Sequence, residues 1–295
     1  MKYFDKFRVK PGQKVKLDEV DPDFTDAHVS RDDAAKEVKS DTRRLRELQE
    51  RLYAERGRSL LICLQAIDAG GKDGTVRHVL GAMNPQGCKV ISFKEPTRIE
   101  LDHDFLWRVH QQVPGKGEVA VFNRSHYEDV IVAKVDELVP KKTLAARYDQ
   151  INAFENLLIH NQTHVLKFFL HISKEEQLKR FKARLEDPTK QWKISESDYA
   201  DRERWGDYMT AFEKALSKCS TEHAPWFIIP ANKKWFRNLA VARIVVEYLD
   251  GLELKYPPPT VDLAKIRQEY HEAESDSETE TETETKDQAS GHGPP

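Results

Sequence analysis

The chain has 295 residues, of which 33% are charged. This length allows one large domain or two small ones. The longest apolar run, residues 60–67, is far too short to cross a bilayer, and residues 1–5 lack the apolar core of a secretion signal. The composition therefore excludes a membrane partner, and we expect a cytoplasmic protein.

The cysteine content and the charge distribution further restrict the kinds of protein that this chain can be. Cys63, Cys88 and Cys219 are too far apart in sequence for a clustered metal site, so we interpret them as reduced packing residues. Residues 271–295 carry seven net negative charges and the rest of the chain four net positive ones, which together give −3. A basic body suits an anionic substrate, although bulk charge does not separate nucleic acid from smaller phosphates.

The N-terminal region, residues 1–57, divides into an arm and a helix. Residues 1–28 show no sustained period and predict an irregular arm. From 31 to 56 one apolar stripe recurs at helical spacing, and Gly57 is a suitable stop. The stripe consists of Ala34, Val38, Leu45, Leu48 and Leu52.

A buried strand at 60–67 leads directly into the most informative segment. This segment, residues 68–75, is rich in glycine and contains one lysine. After it, Val76, Val79 and Leu80 recur at helical spacing. Glycine N–H groups, a helix N-terminus and an ammonium group together favour phosphate. The predicted phosphate-binding residues here are Gly70, Gly71, Lys72, Gly74 and Thr75.

This loop departs from the standard phosphate-loop pattern. Ala66 stands at the position of the first glycine, and Asp73 follows the lysine where a hydroxyl residue is usual. Asp68 would repel phosphate unless a cation lay between them, so it implies Mg²⁺, with Mn²⁺ as a second candidate. The alternative is a glycine-rich turn that binds nothing.

Further strands alternate with helical patterns and predict a parallel α/β sheet of five strands. The strands are expected at 60–67, 89–93, 119–122, 165–172 and 226–230. Ligands bind beyond the carboxyl ends of such strands, so the loops after Ile67, Phe93 and Phe122 should share a crevice. Lys94 and Arg98 in the second loop are predicted to bind phosphate.

The loop after Phe122 carries Arg124, Glu128 and Asp129. The two acids are candidate metal ligands together with Asp68, or they are helix-start acids that complement the helix dipole. We assign His126 no role.

A helix after residue 174 places Arg180 and Arg184 on one face, opposite an apolar stripe of Leu178, Phe181 and Leu185. With the basic segment 187–193, this is typical of a lid at about 174–205 that closes over phosphates. The alternative is a solvated helix face. We expect the main domain to end near residue 260, and the segment 261–295 to be disordered from about 272.

Four motifs in this order resemble those of polyphosphate kinase family 2 over residues 30–255. They are Asp68-x-x-Gly71-Lys72, Asn123-Arg124-Ser125-His126-Tyr127, Asp187-Pro188-x-Lys190-x-Trp192-Lys193 and Ala224-Pro225-Trp226. The resemblance implies a P-loop kinase fold similar to thymidylate kinase, with a helical lid and an N-terminal helical extension. It also implies Mg²⁺-dependent phosphoryl transfer from inorganic polyphosphate to a nucleotide.

The resemblance assigns catalytic roles to Asp68, Lys72, Arg124, Arg180 and Arg184. Lys190 and Lys193 resemble the family's remaining basic lid residues. Asn123 stands where many members carry Asp, so the metal would rely on Asp68 and on Glu128 or Asp129. The branch of the family that accepts both AMP and ADP is similar in this run, so we expect adenine nucleotides as acceptors and no nucleic-acid partner. A homo-oligomer is also implied.

A flexible polyanion needs a row of cations. Candidates for this row are Lys89, Lys94, Arg98, Lys116, Arg124 and Lys134. Two alternatives remain at this point. One is an ATP-dependent nucleotide or nucleoside kinase of the same fold, and the other is an anion-binding module without activity.

Overall fold

The computed structural model describes residues 2–28 and 30–275. The chain divides into two compact units, Met1–Lys255 and Tyr256–Pro295. In the second unit residues 263–275 form a helix. The predicted disorder is therefore wrong for 272–275, and residues 276–295 lie outside the described part. Within that part no helix is long and apolar enough to cross a membrane.

The first unit is built on a five-stranded sheet in which every neighbouring pair is parallel. Its strands are β1 (Ser59–Gln65), β2 (Cys88–Ile91), β3 (Val119–Asn123), β4 (Thr163–His171) and β5 (Trp226–Pro230). The order across the sheet is β2-β3-β1-β4-β5, so β1 is central. The predicted α/β fold with five parallel strands is confirmed.

The central strand explains why the sequence forms this sheet. Every residue of β1 is buried. Leu60, Ile62 and Leu64 pack in the larger apolar cluster, whereas Leu61 and Cys63 pack in a second one. Because successive side chains point to opposite faces, a strand that is covered on both faces must be apolar throughout. Each fully buried leucine contributes about 1.5–3 kcal/mol.

Helices separate the strands, as the alternating pattern predicts. Their bounds are α1 (Tyr3–Phe7), α2 (Arg31–Glu55), α3 (Lys72–His78), α4 (Arg98–Leu101), α5 (Trp107–His110), α6 (Glu128–Val135), α7 (Lys141–His160), α8 (Lys174–Leu185), α9 (Glu196–Glu203), α10 (Trp205–Cys219) and α11 (Lys234–Gly251). Ser30 and Asp33 form a capping box at the start of α2. The helix ends at Glu55, two residues before the predicted Gly57 stop, because Arg56 adopts a left-handed φ of 53°.

The N-terminal arm is more ordered than the sequence predicted. It forms α1, a 3₁₀ turn at Leu17–Glu19 and a bridge from Arg8 to Phe227 at the edge of the sheet. Tyr3 and Phe7 pack on Phe236 of α11. These contacts join residues more than 200 positions apart, so no local pattern in the arm could reveal them.

Candidate active site

The phosphate loop joins the central strand β1 to α3. Gly71 immediately precedes α3 and has a φ of 108°, a value that L side chains rarely adopt. A Cβ at Gly70 would overlap the side chain of Ala66. Buried Thr75 donates from its hydroxyl to the carbonyl of Gly71 (3.2 Å). The loop therefore needs glycine at both positions to turn this tightly.

Lys72 and Asp68 lie in this loop, as predicted. The Nζ of Lys72 donates to the carbonyl of Ala66 (2.8 Å), which holds the ammonium group over the loop. Burial lowers the pKa of Lys72, although Asp68 acts in the opposite direction. The carboxylate of Asp68 pairs with the Nη2 of Arg124 at 2.9 Å.

Arg124 reaches the loop from the end of β3. It has a φ of 65°, an uncommon value for a residue other than glycine. Its N–H donates to the carbonyl of Leu64 in β1 (3.2 Å). Beside it, the side-chain amide of Asn123 donates to Asp73 (3.0 Å). The predicted convergence of the loops after β1 and β3 is confirmed.

The loop after β2 does not contact these groups in the described structure. Arg98 begins α4, and the carbonyl of Lys94 accepts a hydrogen bond from buried Arg108 (2.8 Å). Two members of the predicted cation row, Lys89 and Lys116, lie at the amino ends of the strands, away from the crevice. The Nζ of Lys89 is 3.8 Å from Glu118, just before β3 begins. Both were wrongly placed near the crevice, because Lys89 lies at the start of its strand and Lys116 precedes the start of β3, whereas the crevice lies at the carboxyl ends.

Glu128 and Asp129 begin α6 but face different neighbours. Glu128 lines a small cavity of about 40 Å³ together with Asp68 and Arg124. Burial raises the pKa of Glu128, and Arg124 and Lys72 oppose that effect. The carboxylate of Asp129 instead lies 3.8 Å from Arg108 and 3.7 Å from Arg147. The structure therefore brings Glu128, but not Asp129, to Asp68.

The lid arginines occupy different environments. Arg180 is buried and donates to the carbonyls of Ala69 (2.9 Å) and Gly70 (3.0 Å), so it holds the outside of the phosphate loop. Arg184 lies further along α8, 3.5 Å from Asp198. The predicted apolar stripe on α8 is wrong for Leu178 and Leu185, which are 47% and 49% exposed. The hydrogen bonds of the Arg180 guanidinium allow that charge to take an interior position.

The basic segment that follows α8 reaches the phosphate loop through one side chain. The Nζ of Lys193 lies 2.8 Å from the carboxylate of Asp73. Lys190 pairs with Asp187 within its own segment. Trp192, which lies between Lys190 and Lys193 in the sequence of this segment, is 77% exposed. One lid lysine is therefore within reach of α3, and the other is held locally.

Sequence reasoning missed three groups near the loop. Asp201 and Tyr208 line the same small cavity as Asp68, and their side chains are hydrogen-bonded to each other (2.8 Å). Arg237 in α11 is buried against Gly71 and Gly74. Its signal was available, because it is the one charge buried in a helix that is otherwise apolar on nearly all sides.

A buried network anchors the residues that follow Arg124. Glu155 of α7 accepts hydrogen bonds from the hydroxyl of Tyr127 (2.8 Å) and from Nζ of Lys167 in β4, and its other neighbour is Nε2 of His126 at 3.2 Å. Lys167 also donates to the carbonyl of Cys219 (2.6 Å). His126, for which no role was predicted, is therefore a structural residue of this motif.

The arrangement is suited to a chain of phosphates. The ammonium group of Lys72 lies close enough to Arg124, Asp68 and Glu128 at the carboxyl end of β1 for their charges to act on its pKa. Such cationic groups beside a helix N-terminus favour phosphate. Among the described residues no group of three or more His, Cys, Asp or Glu side chains is arranged to hold a metal ion. A hard cation here would therefore depend on one or two carboxylates and on substrate oxygens, as Mg²⁺ commonly does.

A parallel sheet of this order, with a phosphate loop after its central strand, is the architecture of P-loop kinases, a class of phosphotransferase. Comparisons with known proteins support this class. The family model described as Polyphosphate kinase 2 (PPK2) matches residues 28–257. An AMP/ADP-polyphosphate phosphotransferase of Meiothermus ruber is 51% identical over 262 residues, which are 88% of this chain and 98% of the relative.

Two further relatives extend the comparison. An ADP-polyphosphate phosphotransferase of Rhodopseudomonas palustris is 41% identical over 89% of this chain and 96% of its own. The crystal structure of polyphosphate kinase 2 from Arthrobacter aurescens TC1 matches with a TM-score of 0.88 and 44% identity, over 92% of this chain and 97% of that chain. The protein belongs to the polyphosphate kinase 2 family and is an enzyme that transfers phosphate.

Proposed function

We propose that this protein transfers a phosphoryl group from inorganic polyphosphate to AMP and to ADP, reversibly, giving ADP and ATP. The observation that carries the proposal is the meeting of Lys72, Arg124 and Asp68 at the end of the central strand. A relative named for this activity matches the chain over nearly its full length. An ATP-dependent nucleotide kinase is not favoured, because the chain falls within the polyphosphate-dependent family.

The proposed role of each residue follows from its charge and its position at the loop. The N–H groups of the loop and the Nζ of Lys72 bind the phosphoryl group that moves, and Arg124 and Arg184 neutralise charge that develops during transfer. Arg180 acts from outside the loop by fixing its carbonyls. Phosphoryl transfer needs little covalent help, so positioning and positive charge supply most of the rate. Lys94, Arg98, Lys190 and Lys193 are proposed to hold more distant phosphates.

A divalent cation fits the carboxylates of the crevice. Asp68 and Glu128 line one cavity, and both offer the oxygen ligands that Mg²⁺ prefers, with Mn²⁺ as a second candidate. When bound, the cation would screen phosphate charge from the two carboxylates. Asp129 is a weaker candidate because it is engaged by Arg108 and Arg147. Cytoplasmic location and a homo-oligomeric state remain predictions from the sequence.

The decisive experiment supplies purified protein with AMP, polyphosphate and Mg²⁺ and measures ADP and ATP. We expect both products without any added nucleoside triphosphate. Lys72→Ala and Arg124→Ala should each lower kcat/KM by roughly 10²–10⁵, the usual cost of a lost catalytic charge. The control is Lys182→Ala, since Lys182 is exposed on α8 and, among the described residues, its one ion pair is with Glu186.

Two outcomes would contradict the proposal. Labelled ATP consumed on another acceptor, with no product from polyphosphate, would favour the ATP-dependent alternative. Binding of polyphosphate with no turnover of any nucleotide would favour an anion-binding module.

A further inference from the structure

The phosphate loop is lined on its outer side by a second buried guanidinium group, that of Arg237. This residue lies in the first turns of α11 and is 2% exposed. A Cβ at Gly71 would overlap its Nη1 atom, and a Cβ at Gly74 would lie 2.9 Å from its Nη2 atom. The guanidinium of Arg237 therefore occupies the space that these two glycines leave open.

Positive charge in this region exceeds negative charge. Arg180, whose Nη1 would be 3.5 Å from the same Gly71 Cβ, pairs through its Nε with Glu176 (2.7 Å). Arg237 donates hydrogen bonds to the neutral amide of Asn238 (3.1 and 2.7 Å), and within residues 2–28 and 30–275 no carboxylate forms an ion pair with it. Of these two buried cations, only Arg180 is paired with a carboxylate.

The lysines nearby add to this excess. Burial lowers the pKa of Lys234 at the start of α11, and the charges of Arg180, Arg237 and Lys190 act in the same direction, against Glu176. Burial and the charge of Arg180 also lower the pKa of Arg237, to about 10. Around Arg237 the positive side chains therefore outnumber the negative ones among the described residues.

A buried charge without a counter-ion is unfavourable, and such charges persist where a ligand completes the balance. On the proposed function, the backbone N–H groups of this loop bind the phosphate chain. We propose that Arg237 is a positioning residue whose charge is balanced by the phosphate chain bound across the loop, so that it destabilises the ligand-free protein and strengthens phosphate binding. The identity of that chain as polyphosphate rests on the proposed function.

The competing explanation is that Arg237 only fills space behind two glycines. The two explanations differ for Arg237→Met, which keeps most of the side-chain volume and removes the charge. A space-filling role predicts unchanged phosphate affinity. A charge role predicts weaker affinity together with a ligand-free protein that is as stable as the wild type or more stable.

The experiment measures thermal unfolding of the full chain and calorimetric binding of tripolyphosphate in the presence of Mg²⁺. For Arg237→Met we expect affinity to fall roughly tenfold, on the order of one partly screened charge at this range, and to depend less on salt. The Tm without ligand should not fall. Arg237→Gln should behave in the same way, and Arg237→Lys should retain most of the affinity.

Arg243→Met is the matched control, since Arg243 lies on the same helix and pairs with Glu37 and Asp41, both at 2.8 Å. It should lose stability and keep tripolyphosphate affinity. The proposal is overturned if Arg237→Met keeps wild-type affinity, or if its ligand-free Tm falls as far as that of the control. If Arg237→Met does not fold, Arg237→Gln and Arg237→Lys decide by their difference in affinity.

The outcome is separable from that of the proposed function. Wild-type protein that makes no ADP or ATP from polyphosphate, but loses tripolyphosphate affinity on Arg237→Met, would refute the activity and leave the role of Arg237 intact. Normal wild-type turnover with unchanged affinity in Arg237→Met would refute only the role of Arg237.

Discussion

Two buried clusters of charge in this protein are organised in opposite ways. In the cluster below the second motif, Lys167 and Glu155 are both fully buried and paired with each other, and Tyr127 adds a hydrogen bond to each. In the cluster outside the phosphate loop, Arg180 pairs with Glu176, and among the described residues Arg237 forms no ion pair. The first cluster is complete within the chain, whereas the second needs an anion.

The difference separates structural charge from functional charge. Burial opposes ionisation of Glu155, but Lys167 and His126 outweigh it and hold the pKa of Glu155 below its usual range. Burial instead raises the pKa of Glu128 in the crevice despite Arg124 and Lys72. A carboxylate that the fold itself stabilises belongs to the scaffold. A carboxylate whose negative charge the fold leaves partly unbalanced is available to bind a cation.

The largest effect is expected for Lys167→Met. Removal of this lysine leaves the carboxylate of Glu155 buried without its counter-ion, which typically costs about 3–5 kcal/mol. The double variant Lys167→Met with Glu155→Leu should recover much of that loss, because neither charge then remains. Urea unfolding gives both free energies, and equal losses in the single and double variants would show that packing, not pairing, governs this cluster.

An intermediate effect, dependent on pH, is expected for Glu128→Gln. Because the folded-state pKa of Glu128 is raised, the wild type loses free energy of unfolding as pH rises from the ordinary glutamate pKa to the raised one. Relative to the wild type, the glutamine variant should gain about 1.4 kcal/mol per pH unit across that window and then level off. Urea unfolding with a chelator present tests this, and Glu155→Gln should show the reverse trend.

The smallest effect is expected for Lys193→Ala, which removes an ion pair between the two halves of the crevice. Asp73 is 61% exposed in its side chain, so the pair is well solvated. Such pairs contribute roughly 0.2–1 kcal/mol and weaken in salt. Unfolding free energies measured at low and high salt should differ less in the variant than in the wild type. A larger, salt-independent loss would mean that this contact belongs with the buried clusters.

The sheet could be predicted from sequence because four of its strands, β1, β3, β4 and β5, are largely buried, and only the edge strand β2 is partly exposed. Each strand then appears as a short apolar run, and the five observed strands start and end within two residues of the expected ones. The phosphate loop was also recognisable, since glycines, a lysine and a following helix are local signals. The meeting of Asp68 with Arg124 followed from the rule that parallel strands end at one edge.

Features fixed by distant contacts could not be predicted in this way. Arg180 was predicted on the helix face opposite the apolar stripe, as part of a lid over phosphates, but it is buried and the carbonyls of Ala69 and Gly70 accept its hydrogen bonds. Glu128 and Asp129 are adjacent, and only the packing of Arg108 and Arg147 assigns Asp129 to the other side. The order of the N-terminal arm depends on α11, more than 200 residues away.

The hydrogen bonds of Arg180 limit how α8 can move relative to the crevice. Its guanidinium holds the carbonyls of Ala69 and Gly70 on one side and that of Ala231 on another (2.5 Å). The first turns of α8 are thus fastened to the same backbone that cradles phosphate, and they cannot swing away from it without breaking these bonds. Any opening or closing that keeps these hydrogen bonds must pivot at a point beyond Arg180. Arg184 and residues 187–193 would then move relative to the phosphate loop, while the first turns of α8 stay in place.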